Sequence, residues 1–169
     1  GSGKSSLLRI LCGLLTPHAG KVFWGSDPIT EDRDQFHGEL IYLGHIPALK
    51  ADFSAIENLM SLALLGGQSI SNEEAMNALR EAGLDRQAHR FIRTLSQGQK
   101  QRIALSRLLL PQPKSIWILD EPFNALDRDA NRALQNLLIN HVNRGGIVAL
   151  SSHQDLQIDD NARMIRLEL

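Results

Sequence analysis

Two short apolar runs, Ser115-Ile116-Trp117-Ile118-Leu119 and Ile147-Val148-Ala149-Leu150-Ser151, flank a helical stretch near the end of the chain. Runs of this length without polar alternation suit strands covered on both faces, the situation of a parallel sheet. The helix between them is expected from about Arg128 to Val142 and is closed by Arg144-Gly145-Gly146. Upstream, Ser5 to Leu15 reads as a buried helix stopped by Thr16-Pro17. Lys21-Val22-Phe23-Trp24 reads as a strand before Gly25, and Leu40-Ile41-Tyr42-Leu43 as another that ends at Gly44-His45-Ile46-Pro47. Helix and strand alternate, so the fold class is α/β with a mostly parallel sheet.

The middle of the chain has a different character. Ser54-Ala55-Ile56-Glu57 and Ser71-Asn72-Glu73-Glu74 each place Ser three residues before Glu, a pattern in which side chain and backbone cap a helix start reciprocally. Residues 48–110 therefore read as a helical insert between core segments 1–47 and 111–169. Gly83 closes its second helix, and a further helix runs from Ser96 to about Leu110, where Pro111-Gln112-Pro113 ends it. The 169 residues, 43% apolar and 22% charged, are enough for one domain with a substantial core. A formal net charge of -1 provides no general electrostatic footprint for nucleic acid. No apolar run approaches the roughly 18 residues that span a bilayer. The single cysteine, Cys12, excludes an internal disulfide and reads as a core thiol.

Three groups of residues carry chemistry. Gly1-Ser2-Gly3-Lys4-Ser5-Ser6 is the second half of a phosphate loop, G-x-x-x-x-G-K-[ST], or, taken alone, a flexible turn. In the first reading Gly3 lets backbone N–H groups approach phosphate oxygens at a helix N-terminus, Lys4 meets the β- and γ-phosphates, and Ser5 ligates Mg²⁺. The leading glycine and the strand before it are expected upstream of Gly1, so the chain reads as lacking N-terminal residues. Asp120 and Glu121 emerge at the carboxyl end of a buried strand, where open α/β sheets bind ligands, or else form an acidic turn before Pro122. Leu95-Ser96-Gln97-Gly98-Gln99 opens a helix, with Ser96 and Gln99 as a capping pair and Ser96 with Gly98 as a second anion site.

In this order, the phosphate-loop half, Leu95 to Gln99 and Asp120-Glu121 resemble the ATP-binding cassette (ABC) ATPases, and the resemblance covers nearly all of the chain. It implies a P-loop NTPase core of RecA-like type with the helical insert as signature subdomain, and ATP and Mg²⁺ as cofactors. Asp120, with Ser5, would hold Mg²⁺, and Glu121 would be the general base. The signature residues Leu95, Ser96, Gln97, Gly98 and Gln99 would close over ATP held by a second copy in a head-to-tail dimer. Asn124-Ala125-Leu126-Asp127 resembles the loop by which paired cassettes touch, and Asp127 also suits an N-cap. His153 falls at the switch-histidine position. His45 falls where most of the family places a glutamine that senses the metal and the attacking water, and Gln97 replaces the commoner glycine.

The stretch between His45 and Leu95 leaves no room for the long coiled coil of DNA-repair cassettes, and its length suits docking to a membrane subunit. Ile41 to His45, Ser115 to Asp127, and Arg144 to Val148 leading to Ser152-His153-Gln154 are similar to the ATP-binding subunits of cytochrome c biogenesis haem exporters. That similarity implies a CcmB-like integral-membrane permease as partner, a place on the cytoplasmic face of a bacterial inner membrane, and ATP hydrolysis coupled to haem handling. The ATPase of another small-molecule exporter is the alternative, and a soluble non-transport ABC ATPase is a further one.

Overall fold

The computed structural model describes residues 3–111, 114–153 and 165. Three parallel strands form the main sheet in the order β3-β4-β5: β3 (Leu40–Leu43), β4 (Ile116–Asp120) and β5 (Ile147–Ser151). Leu40 pairs with Ile116 on one side of the central strand, and Ile116 with Ile147 on the other. All five residues of β4 are buried. Side chains alternate across a strand, and β4 divides accordingly. Ile116 and Ile118 join Leu8, Cys12, Ile29 and Phe36 on one face. Trp117 and Leu119 join Ile41, Leu105, Leu108, Phe123, Leu134 and Leu138 on the other. The unalternating sequence of this strand is thus the sequence of a strand with two covered faces.

Helix α1 (Lys4–Leu11) covers the first face, and α6 (Arg128–Asn143) contributes Leu134 and Leu138 to the second. The first helix is shorter than its apolar run suggested. Gly13 takes φ 71°, its N–H bonds to Ile10 O at 2.9 Å and that of Leu14 to Arg9 O at 2.9 Å, a left-handed C-terminal closure. Leu14 and Leu15 lie beyond it and are exposed. The strand expected over Lys21–Trp24 is reduced to β1 (Phe23–Trp24), which pairs antiparallel with β2 (Asp27–Pro28) in a hairpin outside the main sheet. Pro28 has no N–H with which to extend a ladder, so the pair stays short. A short helix, α2 (Arg33–Gly38), then leads into β3.

The insert has its own core. Helices α3 (Ala55–Leu65), α4 (Asn72–Glu81) and α5 (Gln97–Leu105) bury Ile56, Leu59, Leu79, Leu84, Ile92 and Ile103 together. Both Ser-x-x-Glu boxes form: Ser54 N–H donates to Glu57 at 2.7 Å and Ser71 N–H to Glu74 at 2.7 Å. Those backbone bonds, with the serine hydroxyls, hold both carboxyls below the usual glutamate range. The third helix does not continue as α-helix to Leu110. The Ser106 hydroxyl donates to Ile103 O at 2.7 Å, and Ser106–Leu109 winds as a tighter 3-10 turn.

Candidate active site

The first half-turn of α1 follows Gly3, whose φ of 86° is the left-handed conformation that a side chain would disfavour. Among the described residues no side chain caps this helix, so the N–H groups of its first turn, which carries Lys4, Ser5 and Ser6, are available to an anion. Gly1 and Ser2 lie outside the described residues. Behind this turn, Leu8 and Cys12 anchor α1 on Ile116 and Ile118 of the sheet. Burial pushes the Cys12 thiol up to about 12, which leaves it a packing group with no thiolate character at neutral pH.

At the carboxyl end of the sheet the two acidic residues have different surroundings. Asp120 is buried, and its Oδ1 accepts a hydrogen bond from the Ser151 hydroxyl at 2.7 Å. Its Oδ2 is buried and has no hydrogen-bond partner among the described residues. An orphaned carboxylate oxygen at a strand end is the kind of donor that Mg²⁺ takes, directly or through a water, together with a serine hydroxyl such as that of Ser5. Among the described residues no cluster of three or more His, Cys, Asp or Glu could hold a metal. A metal that keeps most of its ligands as water and substrate phosphate needs none, so the donor set fits Mg²⁺.

Glu121 adopts φ 53°, an uncommon conformation for a side-chain-bearing residue. Its N–H donates to Ser151 Oγ at 2.9 Å, and its C=O accepts from Asn124 N–H at 3.2 Å. Its mostly buried carboxylate has Oε1 3.3 Å from Nε2 of His153, which is largely exposed. The structure thus brings Glu121 and His153 together beside Asp120. It does not bring His45 into hydrogen-bond contact with them among the described residues. That side chain is exposed on the loop after β3, while its neighbours Gly44 and Pro47 line a cleft with Gln101, Arg107, Asp120 and Pro122.

The signature residues open α5. Ser96 accepts from Gln99 N–H at 3.2 Å while Gln99 Oε1 accepts from Ser96 N–H at 3.0 Å, so the cap is complete, and Gln97 is exposed. Leu95 is buried in the insert core. Gly98 meets the loop Asn124-Ala125-Leu126-Asp127 of the same chain so closely that a Cβ would lie 2.6 Å from Ala125 O. That loop holds Ala125 at φ 60° and ends with Asp127 Oδ1 accepting from Ala130 N–H at 2.8 Å, the N-cap of α6. Two contacts had no clear sequence signal. Gln101 Nε2 donates to Pro122 O at 3.0 Å, tying α5 to the turn after the acidic pair. Ser151 bonds to both acidic residues, and its only trace in sequence is a hydroxyl at the end of an apolar run.

The family described as ABC transporter matches residues 1–124. The cytochrome c biogenesis ATP-binding export protein CcmA of Aromatoleum aromaticum is 46% identical over 155 residues, covering 92% of this chain and 72% of that protein. The protein of the same name from Pseudomonas aeruginosa is 46% identical over 158 residues, 94% of this chain and 77% of its own. Among solved structures, a putative ABC transporter ATP-binding protein from Pyrococcus furiosus superposes with a TM-score of 0.76 at 26% identity, over 93% of this chain and 76% of that one. A dimeric ATP-binding cassette in a post-hydrolysis state, bound to ADP and Pi, superposes with a TM-score of 0.77 at 27% identity over 90% and 71%. With the acidic strand end, the helix-opening signature and these relatives in agreement, the chain belongs to the ABC transporter family of ATP-binding cassettes, alongside the CcmA proteins.

Proposed function

We propose that this ABC ATPase works as a pair of head-to-tail copies beneath a CcmB-like membrane permease and drives haem export for cytochrome c biogenesis with MgATP. The observation that carries the catalytic part is the Glu121–His153 contact beside a buried Asp120, one of whose oxygens has no partner among the described residues. Gly3, Lys4, Ser5 and Ser6, continued by Gly1 and Ser2, bind the phosphates. Ser5 and Asp120 would hold Mg²⁺, which when bound would supply positive charge to the transferring phosphate. Glu121 accepts a proton from the attacking water, and His153 both orients that carboxylate and reaches the γ-phosphate. His45 occupies the sensor loop facing the permease.

Ser96 and Gly98 act on the nucleotide of the second copy, with Leu95, Gln97 and Gln99 shaping the same helix start. Asn124 to Asp127 contact that copy. The dimeric cassette that superposes on this chain supports the pairing. The cytochrome c biogenesis ATP-binding export proteins at 46% identity support an export role in cytochrome c biogenesis, and haem as cargo and a place on the cytoplasmic face of the inner membrane belong to the proposal. Among the described residues no helix is long and apolar enough to cross a membrane. Peripheral attachment through the permease is therefore part of the proposal. Affinity capture from solubilised membranes, with MgATP hydrolysis assayed on the captured sample, tests it. Recovery with a multi-span subunit and cytochrome c maturation proteins is expected, whereas recovery with an unrelated permease overturns the haem assignment.

A further inference from the structure

Ser151 ends β5 in register with Asp120 at the end of β4, and it is buried. A hydroxyl has one proton to give and lone pairs to receive. Here the proton goes to Asp120 Oδ1 at 2.7 Å and the oxygen receives the Glu121 N–H at 2.9 Å, so a single side chain binds both acidic residues. The two bonds have different consequences. The first commits one oxygen of Asp120 and leaves Oδ2 as the free one. The second ties down the backbone of Glu121 at φ 53°, a conformation that persists only when its surroundings impose it.

We infer that Ser151 is a positioning residue for ATP hydrolysis, fixing in one hydroxyl both the free oxygen of Asp120 and the left-handed turn that aims Glu121 at His153. The inference rests on the proposed function above. An alanine at 151 would leave Asp120 Oδ1 unpaired in a buried place and the Glu121 N–H unpaired in a partly buried one, and would release the Asp120 carboxylate to rotate. Phosphate binding by Lys4 to Ser6 involves neither bond, so ATP affinity without Mg²⁺ should hold while turnover falls.

The test compares Ser151→Ala and Ser151→Thr in the assembled complex. Ser151→Ala should lower kcat by about 10- to 100-fold, the rate equivalent of losing one buried hydrogen bond. KM for ATP should change little, and the free Mg²⁺ needed for half-maximal rate should rise. Ser151→Thr keeps the hydroxyl and should restore most of the rate. A readout independent of turnover is deuterium uptake at the Glu121 amide, faster in Ser151→Ala than in the wild type or Ser151→Thr. Wild-type kcat and exchange in Ser151→Ala would overturn the inference alone, as would a threonine variant as impaired as the alanine. A wild-type complex without MgATP turnover would overturn the parent reading and this inference with it.

Discussion

Replacing Gly98 by alanine sets two effects of known size against each other. In a helix interior Gly→Ala stabilises by up to about 1 kcal/mol, because alanine loses less backbone freedom on folding, and that is an upper limit for Gly98 in the first turn of α5. Against this, the new Cβ would lie 2.6 Å from Ala125 O, a backbone atom that cannot swing aside. The carbonyl would have to retreat by about 0.8 Å to reach the 3.4 Å of ordinary contact. Its loop is held on both sides, by the Leu126 N–H to Phe123 O bond at 3.3 Å and by the Asp127 cap at 2.8 Å. Overpacking of this kind costs about 1–3 kcal/mol, so strain wins over propensity. The net loss is up to about 3 kcal/mol, a fall in Tm of up to about 10 °C for a domain of this size.

The functional loss should be larger than the stability loss. The displaced carbonyl belongs to the loop proposed to touch the second copy, and Gly98 itself is proposed to face that copy's nucleotide. Differential scanning calorimetry and MgATP hydrolysis on one preparation separate the two. A turnover loss of about tenfold or more, with a modest drop in Tm, is expected. A higher Tm with undiminished turnover would refute the close approach of α5 and this loop.

Glu121→Gln should slow hydrolysis by about 10²- to 10⁴-fold while ATP-dependent pairing persists, because the base is lost and the binding groups stay; single-turnover kinetics and light scattering report the two. Ser54→Ala removes the N-cap of α3 and should cost about 0.5–2 kcal/mol in urea unfolding, with no direct effect on phosphate binding. The His141 ring stacks on Trp117 at 3.7 Å with 7° between the planes and places Nε2 3.2 Å from Ser115 O. Burial holds its pKa below the ordinary 6.5, although the carbonyl bond works in the other direction. The unfolded chain then binds the proton more readily, so this contribution to stability is present above about pH 6.5 and is lost as pH falls through the folded pKa. Urea midpoints compared between pH 5 and 8 should show that slope, and His141→Gln should flatten it.

The fold was legible where a residue's own chemistry decides its structure. An apolar run ending in Asp120 has few places to go except a strand buried on both faces, and the Ser54 and Ser71 boxes close within four residues. The fold is harder to read where a backbone closure or a distant partner decides. Leu14 and Leu15 continue an apolar pattern, yet the left-handed turn at the neighbouring Gly13 takes the backbone away before them. Lys21–Trp24 alternates like a strand but finds only Asp27–Pro28 to pair with. The same division runs through the site. Asp120, Glu121 and His153 carry their chemistry in their names, whereas the carbonyl beside Gly98 and the two bonds of Ser151 arise from contacts between elements far apart in sequence. A serine at the end of an apolar strand has no sequence feature that marks it as binding two carboxylate-bearing residues.

MgATP hydrolysis by the complex captured from membranes, measured side by side with its Glu121→Gln counterpart, decides whether this chain is an exporter ATPase with Glu121 as its base. That assignment requires turnover in the first and near-loss in the second, with the same membrane subunit and cytochrome c maturation proteins recovered in both. Equal turnover in the two complexes would contradict it.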